Sequence, residues 1–162
     1  MKKAIIIGCP GSGKSTFARK LRDISDLPLY HLDMIYWTPD RTIIPREEFL
    51  EILSEILEQE QWIIDGNYAS TMEWRMKFCD TIIFLDYPPE VCLAGAKERK
   101  GKARPDLPWI ETEDSDDGEF MEYIRKFHEI HRPTILQLLE KYSEKNVIVF
   151  HSREEADEYL KQ

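Results

Sequence analysis

The stretch KAIIIGCPGSGKST, residues 3–16, decides how this chain folds. Its first half is a short apolar run, which predicts a buried β-strand over Lys2–Ile7. Its second half fits the pattern G-x-x-x-x-G-K-[S/T] from Gly8 to Ser15 without a mismatch, and a helical pattern follows over Lys14–Arg22. Glycines let such a loop turn tightly, so that successive backbone N–H groups point at one phosphate. The stretch therefore predicts a strand, a phosphate-binding loop (the P-loop) and a helix, in that order.

The chemistry of this loop predicts a nucleoside triphosphate and Mg²⁺ as its ligands. Lys14 is expected to reach the β- and γ-phosphates, and the Ser15 hydroxyl is expected to ligate Mg²⁺. A glycine-rich turn with an incidental lysine is the alternative, but such a turn needs no strand before it and no helix after it. The predicted nucleotide-binding residues are Gly8, Pro10, Gly11, Ser12, Gly13, Lys14, Ser15 and Thr16.

Short apolar runs alternate with helical patterns along the rest of the chain. The runs are rich in β-branched residues and nearly continuous, as in parallel strands that are buried on both faces. They predict further strands over Leu27–Leu32, Gln61–Asp65, Thr81–Asp86 and Asn146–Phe150. Helices are predicted over Arg46–Gln59, over Glu119–Lys145 with a break at Pro133, and over Arg153–Leu160 with Ser152 as its cap. This alternation predicts a single α/β domain, a doubly wound parallel sheet, over residues 1–162.

Two segments interrupt the alternation. Residues 34–45 contain two prolines and have no helical period, which predicts a loop. Residues 99–118 contain glycines and prolines and are predicted to form a short lid or loop.

Length and composition limit the classes of function. With 162 residues and a net charge of −9, the chain is not expected to bind nucleic acid broadly, because that needs clustered Lys and Arg. Its longest uncharged run, Ala4–Gly13, has ten residues, whereas a membrane span needs about 20. Three cysteines without a paired spacing, and no signal-peptide pattern, favour a reducing cytoplasm over secretion. The oligomeric state stays open.

A P-loop indicates a nucleoside triphosphate but not what is done with it. A GTPase would need a D-x-x-G switch and an N-K-x-D motif that reads the base, and neither pattern occurs. The chain is also short for a motor protein or for an oligomeric AAA-type ATPase with an added helical domain. Its size favours a compact P-loop kinase.

Three further segments carry a resemblance to a known family. Together with the P-loop, HLD at residues 31–33, WIIDGNY at residues 62–68 and IIFLDYP at residues 82–88 resemble the topology-modulation proteins, which are adenylate-kinase-like members of the P-loop kinase superfamily. The resemblance runs from Lys3 to about Leu160. It implies a three-layer fold with a five-stranded parallel sheet in the order 2-3-1-4-5, an ATP site at the P-loop, a short lid, and an acceptor site across the strand ends. It leaves the acceptor itself open.

The resemblance also implies roles for two carboxylates. In similar kinases an acidic group at the position of Asp65 holds the water shell of Mg²⁺, so Asp65 and Ser15 form the expected metal site. A carboxylate at the position of Asp33, the expected end of the second strand, orients or deprotonates the acceptor hydroxyl. The alternative for Asp33 is a capping or turn residue.

The segment after the third strand departs from the nucleoside monophosphate kinases. Where those enzymes often have a phosphate-binding arginine, this chain has Asn67, Tyr68 and Ala69, which argues against a nucleoside monophosphate as the acceptor. Arg75 could supply the missing charge, with a surface arginine as the alternative. The predicted acceptor-binding residues are Asp33, Tyr68 and Arg75.

Arginines are expected to supply positive charge around the γ-phosphate, because phosphoryl transfer depends mainly on positioning and charge. Arg99 and Arg104 flank the predicted lid. Arg125 and Arg132 are seven residues apart, two turns along one face of the helix that follows. The predicted catalytic residues are Lys14, Asp33, Arg99, Arg104, Arg125 and Arg132.

The sequence thus predicts transfer of a phosphoryl group from ATP, with Mg²⁺, to a small-molecule acceptor. The alternative is a nucleotide-binding regulator of DNA topology or of a protein partner, without metabolite kinase activity. A third interpretation is a bare NTPase, which uses water as the acceptor. The basic cluster at residues 99–104 fits DNA binding, but a lid that faces phosphate explains it equally well.

Overall fold

A computed structural model describes residues 1–98 and 117–162 of the chain. Within these ranges, five strands form one sheet in the order β2-β3-β1-β4-β5, and every neighbouring pair is parallel. The strands are β1 (Lys3–Gly8), β2 (Leu29–His31), β3 (Trp62–Asp65), β4 (Thr81–Leu85) and β5 (Asn146–Phe150). The predicted fold class and strand order are confirmed.

Helices connect the strands and flank the sheet. They are α1 (Lys14–Ser25), α2 (Leu32–Tyr36), α3 (Arg46–Leu57), α4 (Ala69–Phe78), α5 (Pro89–Glu98), α6 (Asp117–Lys126), α7 (Arg132–Lys141) and α8 (Arg153–Leu160). Across the part of the chain that is described, none of them combines the length and the apolar character that crossing a bilayer requires.

The three central strands lie in the core. Every residue of β3 and β4, and every residue of β1 after Lys3, is buried, whereas the edge strands β2 and β5 are only partly buried. Burial on both faces accounts for the nearly continuous apolar runs in the sequence. Because all strands are parallel, their carboxyl ends meet at one edge of the sheet, where ligands bind in open α/β folds.

The second strand is shorter than predicted, and this changes the setting of Asp33. β2 begins at Leu29 and ends at His31, because its neighbour β3 ends at Asp65, directly opposite His31. The chain then enters α2, so Asp33 lies in the first turn of a helix and not at the end of a strand.

The segment 34–45 is only partly the loop that its prolines indicate. Its first three residues belong to α2, so the loop prediction is wrong there. The remainder is a turn, closed by a bridge between Trp37 and Ile43.

Both helical segments predicted for the second half of the chain are helical in the structure. The long helical pattern is divided: α6 ends at Lys126, a π-helical turn covers Phe127–His131, and α7 begins with Pro133 in its first turn. His131 and Arg132 keep right-handed helical dihedrals, so Pro133 lies inside a continuous helical run and removes one backbone hydrogen bond next to the π-helical turn. Ser152 caps α8 as predicted, since its hydroxyl accepts a hydrogen bond from the Glu155 N–H at 3.2 Å.

Candidate active site

The P-loop joins β1 to α1 at the centre of the sheet edge. Gly11 and Gly13 have φ angles of 86° and 89°, in the left-handed region that favours glycine. A Cβ on Gly11 would also collide with the backbone carbonyl of Cys92 in α5, so only glycine fits this position. The loop therefore has the backbone conformation of an anion-binding turn that leads into a helix N-terminus.

The predicted nucleotide-binding side chains lie around this turn. Lys14 and Ser15 open α1 and are partly buried, whereas Thr16 is exposed and its hydroxyl accepts a bond from Arg19. The Ser12 hydroxyl is buried, and among the described residues it has no hydrogen-bond partner. An unsatisfied buried hydroxyl in this loop fits a site that is completed by a bound anion.

Ser15 lies beside Asp65, the last residue of β3. The Ser15 hydroxyl donates to Asp65 Oδ2 at 2.8 Å, and His31 Nδ1 lies 2.6 Å from the same oxygen. Asp65 is only 3% exposed, and its other oxygen, Oδ1, is buried with no hydrogen-bond partner within the described ranges. The two residues predicted to serve the metal are thus brought together.

These groups fit Mg²⁺. This cation prefers hard oxygen ligands and is usually held by one or two protein oxygens, with phosphates and waters completing its shell. A serine hydroxyl and a carboxylate with one unsatisfied oxygen supply such a partial shell. In agreement, residues 1–98 and 117–162 contain no cluster of three or more His, Cys, Asp or Glu that would form an all-protein metal cage.

The loop after β3 is hydrogen-bonded to the start of the P-loop. Asn67 accepts a hydrogen bond from the Gly8 N–H at 3.0 Å and donates to the Gly8 carbonyl at 2.7 Å. The two bonds tie the first residue of the P-loop motif to a residue 59 positions away in the sequence. Asn67, which in the sequence only marks a departure from nucleoside monophosphate kinases, is therefore a structural part of the nucleotide site.

The side chain of Arg75 holds this loop through its backbone carbonyls. Its side chain is fully buried and donates to three successive backbone carbonyls: those of Gly66 at 2.9 Å, Asn67, and Tyr68 at 3.3 Å. Burial lowers the pKa of Arg75 to about 10, against an opposing contribution from the negative charge of Asp65.

This placement corrects both sequence interpretations of Arg75. The residue is not at the surface, and its side chain does not face the acceptor, because the planar guanidinium is matched to the carbonyls of the loop instead. The sequence shows a charged residue in α4 but not its burial. The buried face of this helix mixes polar and apolar residues (Thr71, Met72, Arg75 and Met76), so no apolar stripe marks it.

Asp33 and Tyr68 meet at the sheet edge, on the side of β2. The Tyr68 hydroxyl donates to Asp33 Oδ1, and both burial and the charge of Asp33 raise the pKa of Tyr68. The Tyr68 ring packs against Tyr36 and Phe49, with ring centroids 5.0 Å and 5.5 Å away. Asp33 thus accepts a hydrogen bond from a tyrosine that is itself packed against two aromatic rings.

The backbone of Tyr68 is held in an unusual conformation. Its φ of 39° is in the left-handed region, which is uncommon for a residue with a large side chain. Its carbonyl is held in place by Arg75 and by the Thr71 N–H and hydroxyl. Such strain persists only where the surroundings enforce it, and it clusters at functional sites.

The predicted phosphate-binding arginines do not act together in this structure. Arg132 makes a bidentate pair with Asp86, with both N···O distances 2.8 Å, and this hydrogen bonding raises its pKa. Arg125 pairs with Glu122 and Glu129 on its own helix. A π-helical turn lies between the two arginines and changes the spacing on which their predicted shared face depends. Arg99, Arg104 and most of the predicted lid lie outside the described residues.

These features define the class of the protein: a parallel α/β sheet with a P-loop, the fold of nucleotide-binding P-loop proteins. The sequence matches the profile of the family described as "AAA domain" over residues 5–121, and the chain belongs to this family. Within residues 1–98 and 117–162, the helices connect the strands or flank the sheet, and no separate helical domain is present. A comparison with curated proteins finds no match.

Solved structures of shikimate kinases share the fold. The enzyme from Bacteroides thetaiotaomicron has a TM-score of 0.59 at 20% identity, and the alignment covers 99% of this chain and 94% of that one. The enzyme from Acinetobacter baumannii, in complex with shikimate, has a TM-score of 0.59 at 16% identity, with coverage of 99% and 92%. The enzyme from Aquifex aeolicus has a TM-score of 0.54 at 20% identity, with coverage of 98% and 92%. The protein therefore has the fold of a small P-loop kinase.

Proposed function

We propose that this protein transfers a phosphoryl group from ATP, in the presence of Mg²⁺, to a hydroxyl group of a small-molecule acceptor. One observation carries the proposal. The short segment from Asp65 to Tyr68 places a carboxylate beside Ser15 of the P-loop at one end and a tyrosine on Asp33 at the other. A nucleotide site and a second carboxylate site are thereby joined by a single loop.

On the nucleotide side, Lys14 and the backbone N–H groups of the P-loop would bind the phosphates. Ser15 and Asp65 would hold Mg²⁺, which when bound neutralises charge on the phosphate oxygens. The buried Ser12 hydroxyl and the buried Oδ1 of Asp65, both without a partner among the described residues, support this assignment, because the hydroxyl would donate to a phosphate and the carboxylate oxygen would serve the cation.

On the acceptor side, Asp33 would orient the attacking hydroxyl or accept its proton. The Tyr68 hydroxyl fixes one carboxylate oxygen of Asp33, and the packed rings of Tyr36 and Phe49 hold Tyr68 in turn. The resemblance to the topology-modulation proteins supports an adenylate-kinase-like enzyme with an acceptor site at this edge. The shikimate complex among the structural neighbours shows the same fold with a small molecule, without assigning shikimate to this chain.

The arginines would supply positive charge around the transferred group. Arg132 and Arg125 are both paired with carboxylates, and phosphate oxygens would take the place of those partners. Arg99 and Arg104 of the predicted lid would complete the set, and closure of a lid limits hydrolysis by excluding water.

The proposed cellular setting is the cytoplasm. All three cysteines are buried and none forms a disulfide, which suits a reducing compartment. The net charge of −9 does not favour nucleic acid as a partner.

The test is release of ADP in a coupled assay, with a panel of nucleotides, sugars and hydroxy acids as acceptors. Wild-type protein should release ADP in a manner that depends on one acceptor class, and Lys14→Ala should abolish this release. Asp33→Asn should reduce it by at least about 100-fold while ATP still binds, because the variant lacks the proton acceptor. Asp157→Asn, at an exposed position, is the matched control and should have wild-type activity.

Absence of acceptor-dependent ADP release across the whole panel would contradict the proposal. ATP binding together with strongly salt-dependent DNA binding would instead support a nucleotide-binding regulator.

A further inference from the structure

His31 makes a contact with the metal site that the proposed reaction does not explain. It is the last residue of β2, and the parallel register of the sheet places it directly opposite Asp65, the last residue of β3. The side chain is only 10% exposed, and Nδ1 lies 2.6 Å from Asp65 Oδ2. A short hydrogen bond between two largely buried groups fixes their relative orientation.

The hydrogen bonds to Asp65 are distributed unevenly over its two oxygens. Oδ2 is contacted by both His31 and the Ser15 hydroxyl, while Oδ1 is buried and has no partner within the described ranges. Because Oδ2 is held by these two bonds, the carboxylate does not rotate freely, and Oδ1 stays available to a cation. A carboxylate that serves a cation needs this arrangement, because a partner on the remaining oxygen would compete with the ligand.

The hydrogen bond from Ser15 to Asp65 would be lost when the cation is bound. In the proposed function the Ser15 hydroxyl serves the metal, and this use would take it away from Asp65. The charge of Arg75 acts on Asp65 without a hydrogen bond, because the donors of Arg75 are directed to the backbone carbonyls of the loop. Among the described residues, His31 is therefore the side chain that would still hold Asp65.

We propose that His31 is a positioning residue for the cation site: Nδ1–H donates to Asp65 Oδ2 and holds Oδ1 toward the cation that accompanies the nucleotide. The inference rests on the proposed function only in requiring that the P-loop bind a nucleotide with Mg²⁺. It does not depend on any acceptor or on turnover. Residues that hold metal ligands in this way typically contribute about 10–100-fold to metal affinity.

The experiment compares three substitutions that differ in where they place a hydrogen-bond donor. His31→Asn keeps an N–H near the position of Nδ1, His31→Gln moves it to the position of Nε2, and His31→Leu removes it. Isothermal titration calorimetry measures the affinity for ADP with Mg²⁺ and with EDTA, and the ratio of the two affinities reports the contribution of the cation. His151→Asn, which changes an exposed histidine, is the matched control.

We expect Mg²⁺ to strengthen ADP binding to the wild-type protein. His31→Leu and His31→Gln should reduce this effect by about 10-fold or more, while their affinity for ADP in EDTA stays unchanged. His31→Asn and His151→Asn should keep the wild-type ratio. Thermal unfolding of each variant identifies loss of the fold.

Three results would overturn the inference. His31→Leu could keep the wild-type effect of Mg²⁺, or His31→Asn could lose as much as His31→Leu. All His31 variants could also lose ADP affinity equally with and without Mg²⁺, which would indicate a purely structural role. None of these results depends on phosphoryl transfer, so they are distinguishable from a failure of the acceptor screen.

Discussion

The two sides of the P-loop are built in opposite ways. On one side is the β3 flank, defined as Asp65–Tyr68 with Arg75 beneath it. Its polar groups are largely buried and bonded to backbone atoms. On the other side is the β4 flank, defined as Asp86 with Arg125 and Arg132. Its arginine side chains are 59% and 38% exposed and are paired with carboxylates.

The difference indicates which parts of the site have their final geometry before a ligand binds. Moving a side chain of the β3 flank would leave buried polar groups unsatisfied, so its geometry is fixed before any ligand binds. The arginines of the β4 flank are partly in water, although Asp86 is buried, and an arginine at the surface is readily transferred from one anion to another. We therefore expect the β3 flank to position the metal and acceptor, and the β4 flank to respond to the nucleotide. Four substitutions test this contrast, in descending order of the expected effect on stability.

The largest effect is expected for Arg75→Met. It leaves three loop carbonyls and the Thr71 hydroxyl without their donor in a buried environment. The free energy of unfolding, measured by urea denaturation, should fall by about 3–5 kcal/mol. Arg125→Met, at an exposed position on the β4 flank, is the control and should change it by less than about 0.5 kcal/mol. Similar losses for both variants would remove the contrast between the flanks.

Asn67→Ala should have the next largest effect. Both hydrogen bonds to Gly8 are lost, so the free energy of unfolding should fall by about 1–2 kcal/mol. Because the start of the P-loop is then less well positioned, ATP affinity measured by calorimetry should also fall. Asn146→Ala, at the exposed start of β5, is the control and should leave ATP affinity unchanged. Unchanged ATP affinity in Asn67→Ala would mean that the P-loop binds ATP equally well without the hydrogen bonds from Asn67.

Arg132→Gln should have a smaller effect on stability. Its pair with Asp86 is bidentate and the Asp86 carboxylate is buried, but the arginine is partly exposed and glutamine keeps one N–H donor, so the loss in free energy of unfolding should be about 1 kcal/mol. High salt should reduce the difference from wild type, since screening is strong at about 1 M. A loss as large as that of Arg75→Met, or one independent of salt, would show that the β4 flank is also fixed in advance.

Glu73→Gln should have the smallest effect, and it depends on pH. Glu73 joins α4 to the end of α7 by accepting hydrogen bonds from Lys141 at 2.5 Å and from Tyr142 at 2.8 Å. These bonds, that from Lys141 first, lower the pKa of Glu73. A folded-state pKa below the unfolded value stabilises the protein above the unfolded pKa, and this contribution is lost as pH falls through the folded value. The melting temperature of Glu73→Gln should therefore lie below that of wild type at pH 7 and approach it in acid; a constant difference would exclude the ion pair as the cause.

The sequence predicts the fold and the P-loop well because their signals are local. The eight residues of the loop motif are contiguous, and the buried strands are read directly from their apolar runs. The shortening of β2 is different, because it depends on where β3 ends, more than 30 residues later. A pattern within residues 27–32 contains no such information.

The roles of single site residues are less accessible for the same reason. The bonds of Asn67 to Gly8 and of His31 to Asp65 span 59 and 34 residues. Arg75 shows the limit most clearly, since its charge suggests a ligand or the surface, and only the fold shows that it binds backbone carbonyls. The segments HLD and WIIDGNY contain the candidate site residues, but only the folded structure shows which partner each of these residues contacts.

The most direct test of the central claim is a crystal structure with Mg²⁺ and a non-hydrolysable ATP analogue. The claim predicts phosphates within the P-loop, the cation next to Ser15 and on the Oδ1 side of Asp65, and the Tyr68–Asp33 bond facing the space for an acceptor. Arg75 should keep its three carbonyl bonds, while Arg132 turns from Asp86 toward the phosphates. A nucleotide bound elsewhere, or a cation held away from Asp65, would contradict the account.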